Sequence, residues 1–248
     1  MGARDWMVVY VADGVDVAEV LRSAPAPDVP ATEAFVRRLY PDAVRARRDG
    51  TLRDSAEPEP DQVHAAAYPG VTVVCTPDVA LERPSELPAR FLAAADGCRV
   101  VLHAMHSGVN WFAYASWAPD GTLVRSLSVS GDHGVLEDVG QRPPFEEPYW
   151  AGQHPAEGDD EDDDLDDDLD DDDDCEVVDW VEGEDEGEHE GDWLPFDPLE
   201  LAEAALRDQL GFVLEGEVHE RDADLTALRL LRFTAGQSPP AWARLRRR

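Results

Sequence analysis

The hydrophobic pattern changes period along the chain, and each change marks an element. Trp6 to Ala12 is continuously apolar, as a central strand buried on both faces would be. Asp16 followed by Glu19 resembles a capping box and opens a short helix through Leu21. A Pro-rich loop spans Ala24 to Pro30. Thr32 then caps a helix with Phe35, Val36, Leu39 and Tyr40 on one side, ended by Pro41. Asp42 to Pro60 is polar and reads as loop. Two strands follow, Val63 to Tyr68 and Val71 to Thr76, joined by a Pro69-Gly70 turn.

The second half continues in the same manner. Ser85 opens a helix to Asp96, with Gly97 as its stop. Arg99 to Met105 is a strand apolar on both faces. Trp111–Trp117 and Thr122–Val129 form a hairpin around Pro119-Asp120-Gly121. A Pro-rich arm runs from Arg142 to Trp150. Asp197-Pro198-Leu199-Glu200 is a complete helix start, with an acidic cap and proline in the first turn. That helix carries Leu199, Ala202, Leu206 and Leu210 and ends at Gly211. Leu225 to Phe233 is the last expected strand. Hairpins interleaved with helices predict an α+β fold with a largely antiparallel sheet and helices packed on it.

One stretch has neither period. From Glu157 to Asp192, 24 of 36 residues are Asp or Glu and none is Arg or Lys, which accounts for most of the chain's net charge of −34. Such a segment repels itself and buries no apolar surface, so disorder is expected over residues 156–192. Residues 1–155 and 193–248 are then read as one globular domain interrupted by this insert. The island Val177-Val178-Asp179-Trp180-Val181 within it reads either as a short docking motif or as a segment that rests on the domain. The charge argues against nucleic acid as a partner and for a basic protein partner.

Every one of the 21 basic residues is Arg. Without Lys there is no phosphate-loop lysine, no Schiff-base lysine and no Ser-Lys dyad. Three cysteines at unrelated spacings argue against a disulfide framework. No apolar run approaches the ~18 residues that a membrane span needs, so a cytoplasmic location is expected.

Candidate chemistry is sparse. His103 and His106 are the metal or acid–base candidates. Residues three apart on a strand face opposite ways, so a shared metal needs a turn between them, and no metal or other cofactor is expected. Trp111, Tyr149 and Trp150 are the candidate binding residues, with core packing or clamping of the Pro-rich arm as the competing role. Glu146 and Glu147 read as surface acids. Two readings follow: a non-enzymatic protein-interaction or regulatory domain, and a small-molecule enzyme using His103 or His106 near Trp111.

Four segments carry a resemblance: Leu81-Glu82-Arg83-Pro84-Ser85-Glu86-Leu87-Pro88, Leu102-His103-Ala104-Met105-His106-Ser107, Phe145-Glu146-Glu147-Pro148-Tyr149-Trp150-Ala151-Gly152 and Phe196-Asp197-Pro198-Leu199-Glu200-Leu201-Ala202-Glu203. In these the chain resembles an actinobacterial family of unknown function, domain of unknown function 6928. The resemblance implies a bacterial cytosolic domain and brings no activity with it.

Overall fold

Strand β1 (Arg4–Val11) is the middle of a ten-stranded antiparallel sheet in the computed structural model, which describes residues 4–155 and 194–235. The apolar run places β1 between two strands that cover both its edges: β5 (Val71–Cys75) and β6 (Arg99–His106). Outward from β5 lie β4 (Gln62–Tyr68), β10 (Arg229–Thr234) and β2 (Val44–Arg45), with β3 (Gly50–Thr51) also paired to β10. Outward from β6 lie β7 (Trp111–Trp117), β8 (Leu123–Ser130) and β9 (Gly134–Gly140). The strand that follows the acidic stretch is therefore inserted between two strands that precede it.

Both faces of the sheet are covered, which explains why the central strands are apolar on both sides rather than alternating. On one face, Met7, Val9, Val73, Val101, Phe112 and Leu127 meet α1 (Val17–Arg22), α5 (Pro198–Leu210) and the segment after α5. On the other, Trp6, Val8, Tyr10, Val74, Leu102 and Trp111 meet α2 (Val29–Leu39) and α3 (Ala89–Ala93). A short helix α4 (Glu147–Trp150) lies in the Pro-rich arm.

Several boundaries differ from the sequence expectation, each for a local reason. Helix α2 is capped by Asp28, whose side chain accepts from Ala31 N–H, so Pro30 falls within the first turn. Thr32 instead lies one turn inside: its hydroxyl donates to Asp28 O and accepts from Ala67 N–H on β4. The expected helix from Ser85 to Asp96 is broken by Pro88 into a single 3₁₀ turn (Pro84–Glu86) and α3. Strands β2 and β3 fall where loop was expected, and β9 falls where no element was assigned. The first two are two residues long, and β9 is an exposed edge strand without buried alternation. Helix α5 matches its cap signals: Asp197 accepts from Leu199 and Glu200 N–H, and Gly211 ends it at φ +78°. There Gly211 meets α1 so closely that a Cβ would come 2.3 Å from Ala18 Cβ.

Candidate functional site

The two histidines lie on β6 and point through opposite faces of the sheet. His103 shares the face of α5. Its Nδ1 lies 3.0 Å from both carboxylate oxygens of Asp5, one strand over on β1, and its Nε2 lies 3.0 Å from Ala202 O in α5. The Ala202 carbonyl can only accept, so Nε2–H donates to it; with Asp5 ionised, Nδ1–H donates as well and the ring is an imidazolium. Burial alone would discharge it. The Asp5 carboxylate, their hydrogen bond and the Ala202 carbonyl outweigh that and hold the pKa of His103 above the ordinary histidine range. Asp5 is fully buried, and that burial raises its own pKa. The pair therefore holds its protons more tightly than free groups would. This is a sheet-to-helix bolt with every donor engaged.

His106 closes β6 on the other face. It stands directly opposite Trp111 in register, with its ring 6.0 Å from that of Trp6. Gly108 makes room for it, since a Cβ there would lie 3.1 Å from His106 Cε1. Trp111 is itself buried, and its indole N–H donates to Ser128 Oγ at 3.0 Å. His103 and His106 thus share no cavity, and Trp111 joins His106 but not His103. Among the described residues no group of three or more His, Cys, Asp or Glu is placed to hold a metal ion.

Glu146 is a correction to the sequence reading. It is fully buried, not a surface acid. Arg125 on β8 grips it with two parallel bonds, Nε to Oε1 at 2.9 Å and Nη2 to Oε2 at 2.7 Å, and also bonds Asp138 on β9. Trp150 Nε1–H donates to the same Glu146 carboxylate at 3.3 Å. Arg142 lies 3.9 Å over the Trp150 ring and bonds Asp138 at 3.0 Å. Burial beside Glu146 pushes the Tyr114 hydroxyl far above its usual pKa.

This network anchors α4, and α4 forms one half of a neck. Tyr149 stacks on His154 with centroids 4.3 Å apart and meets Phe196 edge-on at 5.8 Å. Trp150 meets Phe196 edge-on at 5.0 Å. Tyr149 is buried and Trp150 partly so; both clamp the arm to the domain. The neck joins the residues just before 156 to those just after 193. The acidic stretch itself, with the Val177–Val181 island, lies outside the described residues, so the expectation of disorder falls outside them too.

Sequence reasoning missed Asp5, Arg125 and Glu146. For Asp5 a signal existed: it stands two residues before Met7 and four before Val9, so the strand period alone turns it toward the core. Arg125 and Glu146 carry no such mark, because their partnership joins a strand to a distant arm.

A family model matches residues 5–170 and 178–233, which is most of the chain. The chain belongs to the family of unknown function DUF6928. The match extends into the acidic stretch at both ends and skips only its middle, so much of that stretch lies within the family's own span. No curated protein and no solved structure matches the chain. No helix among the described residues is long and apolar enough to cross a membrane.

Proposed function

We propose that this DUF6928 protein is a non-enzymatic binding or regulatory domain that offers its acidic segment, residues 157–192, to a basic protein partner. The observation that supports this reading is the neck. Tyr149, Trp150 and His154 on one side and Phe196 on the other hold both ends of the segment at one place on the rigid sheet. A polyanion tethered at both ends presents many charges to one partner while losing less conformational freedom on binding than a free tail would. Its field also speeds encounter with a positively charged surface. The chemistry-bearing side chains in the interior, Asp5, His103, Arg125 and Glu146, are occupied with one another and serve the frame.

The test uses three forms: the full chain, a chain lacking residues 157–190, and a chain in which every Asp and Glu from 157 to 192 is replaced by Asn or Gln. Each is titrated calorimetrically with an arginine-rich peptide at physiological salt. Saturable binding by the full chain, lost in both variants while their melting curves stay intact, is the expected result. Equal binding by the neutralised segment would remove the proposal.

A further inference from the structure

The opposite end of the sheet carries the reverse charge. The stretch from Val44 to Thr51 runs along the outer edge of β10, but not in even register. Phe233 pairs with Arg45 and Thr234 with Val44; Ala46 N–H donates to Arg232 O at 2.8 Å; pairing then resumes with Leu230 opposite Gly50 and Arg229 opposite Thr51. Between Arg232 and Leu230 there is one residue on β10, while between Ala46 and Gly50 there are three. The surplus residues must loop out, and the loop is Arg47-Arg48-Asp49. Bulges of this kind re-aim side chains and recur beside functional sites.

The bulge opens a concavity of about 340 Å³ lined by Ala46, Arg47, Arg48, Gln62, Arg232 and Thr234, with Phe233 at its side. Arg47 and Arg48 are exposed. None of Arg47, Arg48 and Arg232 enters a salt bridge among the described residues; Asp49 and Glu33 are taken by Arg45, and the Asp54 carboxylate accepts from the Thr51 hydroxyl. Arg232 donates to Asp54 O at 3.3 Å and Ser55 Oγ at 3.5 Å, and its buried Nε–H has no acceptor among the described residues. Gly50 permits this, because a Cβ there would lie 2.5 Å from Arg232 Nη2. Beside it on the sheet, His64 is pushed down to about 4, first by burial and further by the Arg232 charge. Three guanidiniums with no salt-bridge partner among the described residues thus line one hollow in a chain of net −34.

We infer that this hollow is a binding site for a phosphate-bearing small molecule, held by Arg47, Arg48 and Arg232. A carboxylate brings one charge and two oxygens. A terminal phosphate near neutral pH brings close to two charges and three acceptor oxygens, which suits three guanidinium forks. This inference is independent of the acidic segment, which takes no part in it.

The experiment titrates the full-length chain with inorganic pyrophosphate by calorimetry at physiological salt, with citrate as a carboxylate comparison. The variant R47Q/R48Q alters two exposed side chains and leaves the fold intact, which its melting curve checks. Saturable pyrophosphate binding near one per chain is expected, weakened about tenfold or more in the variant through loss of charge-assisted bonds. Absence of saturable binding, or the same affinity in the variant, overturns the site. Citrate binding as tightly as pyrophosphate overturns the assignment to phosphate.

Discussion

Replacing His103 with Leu would leave the Asp5 carboxylate in a site with no exposure and no cation. It would lose the imidazole donor and keep only the Met105 backbone N–H, and water could not reach it. Breaking a buried pair from one side costs about 3–5 kcal/mol, a large share of the ~5–15 kcal/mol that holds a typical domain. The reverse change, Asp5→Val, is milder at about 1–3 kcal/mol, because a neutral imidazole can still donate Nε2–H to Ala202 O and strands only Nδ1. The double variant removes both partners. The Ala202 carbonyl, inside α5, keeps its helical bond, so nothing charged is left behind. Its cost should fall below the sum of the singles by about 2 kcal/mol. Urea unfolding of the four proteins measures this directly. The pair also predicts a pH dependence. A histidine whose folded pKa lies above its unfolded value of ~6.5 gives stability that is fully present below that value and fades as pH rises through the folded one. The gap between wild type and His103→Leu should therefore narrow as pH rises above ~6.5 and through the raised folded pKa of His103. Singles costing under about 1 kcal/mol, an additive double, or a gap that widens with pH would each refute the account of the bolt.

Four further outcomes follow from features already described. Glu146→Ala strips the acceptors from Nε and Nη2 of the buried Arg125 and leaves Nη1 to Asp138 and the Val139 and Gly140 carbonyls; a loss of about 3–5 kcal/mol is expected in denaturant unfolding. Gly211→Ala forces a Cβ into Ala18 at positive φ; it should lower the melting temperature by several degrees, for an expected cost above about 1 kcal/mol. Deleting residues 157–190, with the neck joined by a short Gly/Ser linker, should shift stability by no more than about 0.5 kcal/mol; a loss of several would mean that the segment is integral to the fold. Burial raises the Cys75 thiol far above its usual pKa, so a thiol reagent should leave it unmodified in the native protein and reach it only on unfolding, as peptide mapping can read.

Strand and helix periods revealed the centre of the fold, because β1, β5, β6, β7 and α5 are long, apolar and sharply punctuated. They did not reveal its edges. Strands β2 and β3 have two residues each, too few for any period, and exist because β10 offers them an edge. Strand β9 has no apolar alternation and is largely exposed, and its pairing to β8 is what makes it a strand. The candidate residues divided in the same way. The strand period already placed His103 and His106 on opposite faces. The aromatics Tyr149 and Trp150 stood out, yet their role as a clamp depends on Phe196, which lies beyond the acidic stretch. The arginine hollow needed a register mismatch that only the paired strands display.

The position of β10 sets a schedule for the growing chain. Strand β4 is complete by Tyr68, but the neighbour that covers its outer edge is not made until Arg229 to Thr234. At ordinary translation rates roughly ten to thirty seconds separate the two. Through that interval the nascent sheet carries an open edge of the kind that recruits other strands. The polyanion is synthesised within this window, before the edge is sealed. Its charge is of one sign throughout, so two unfinished copies that both carry it repel each other while that edge is still open.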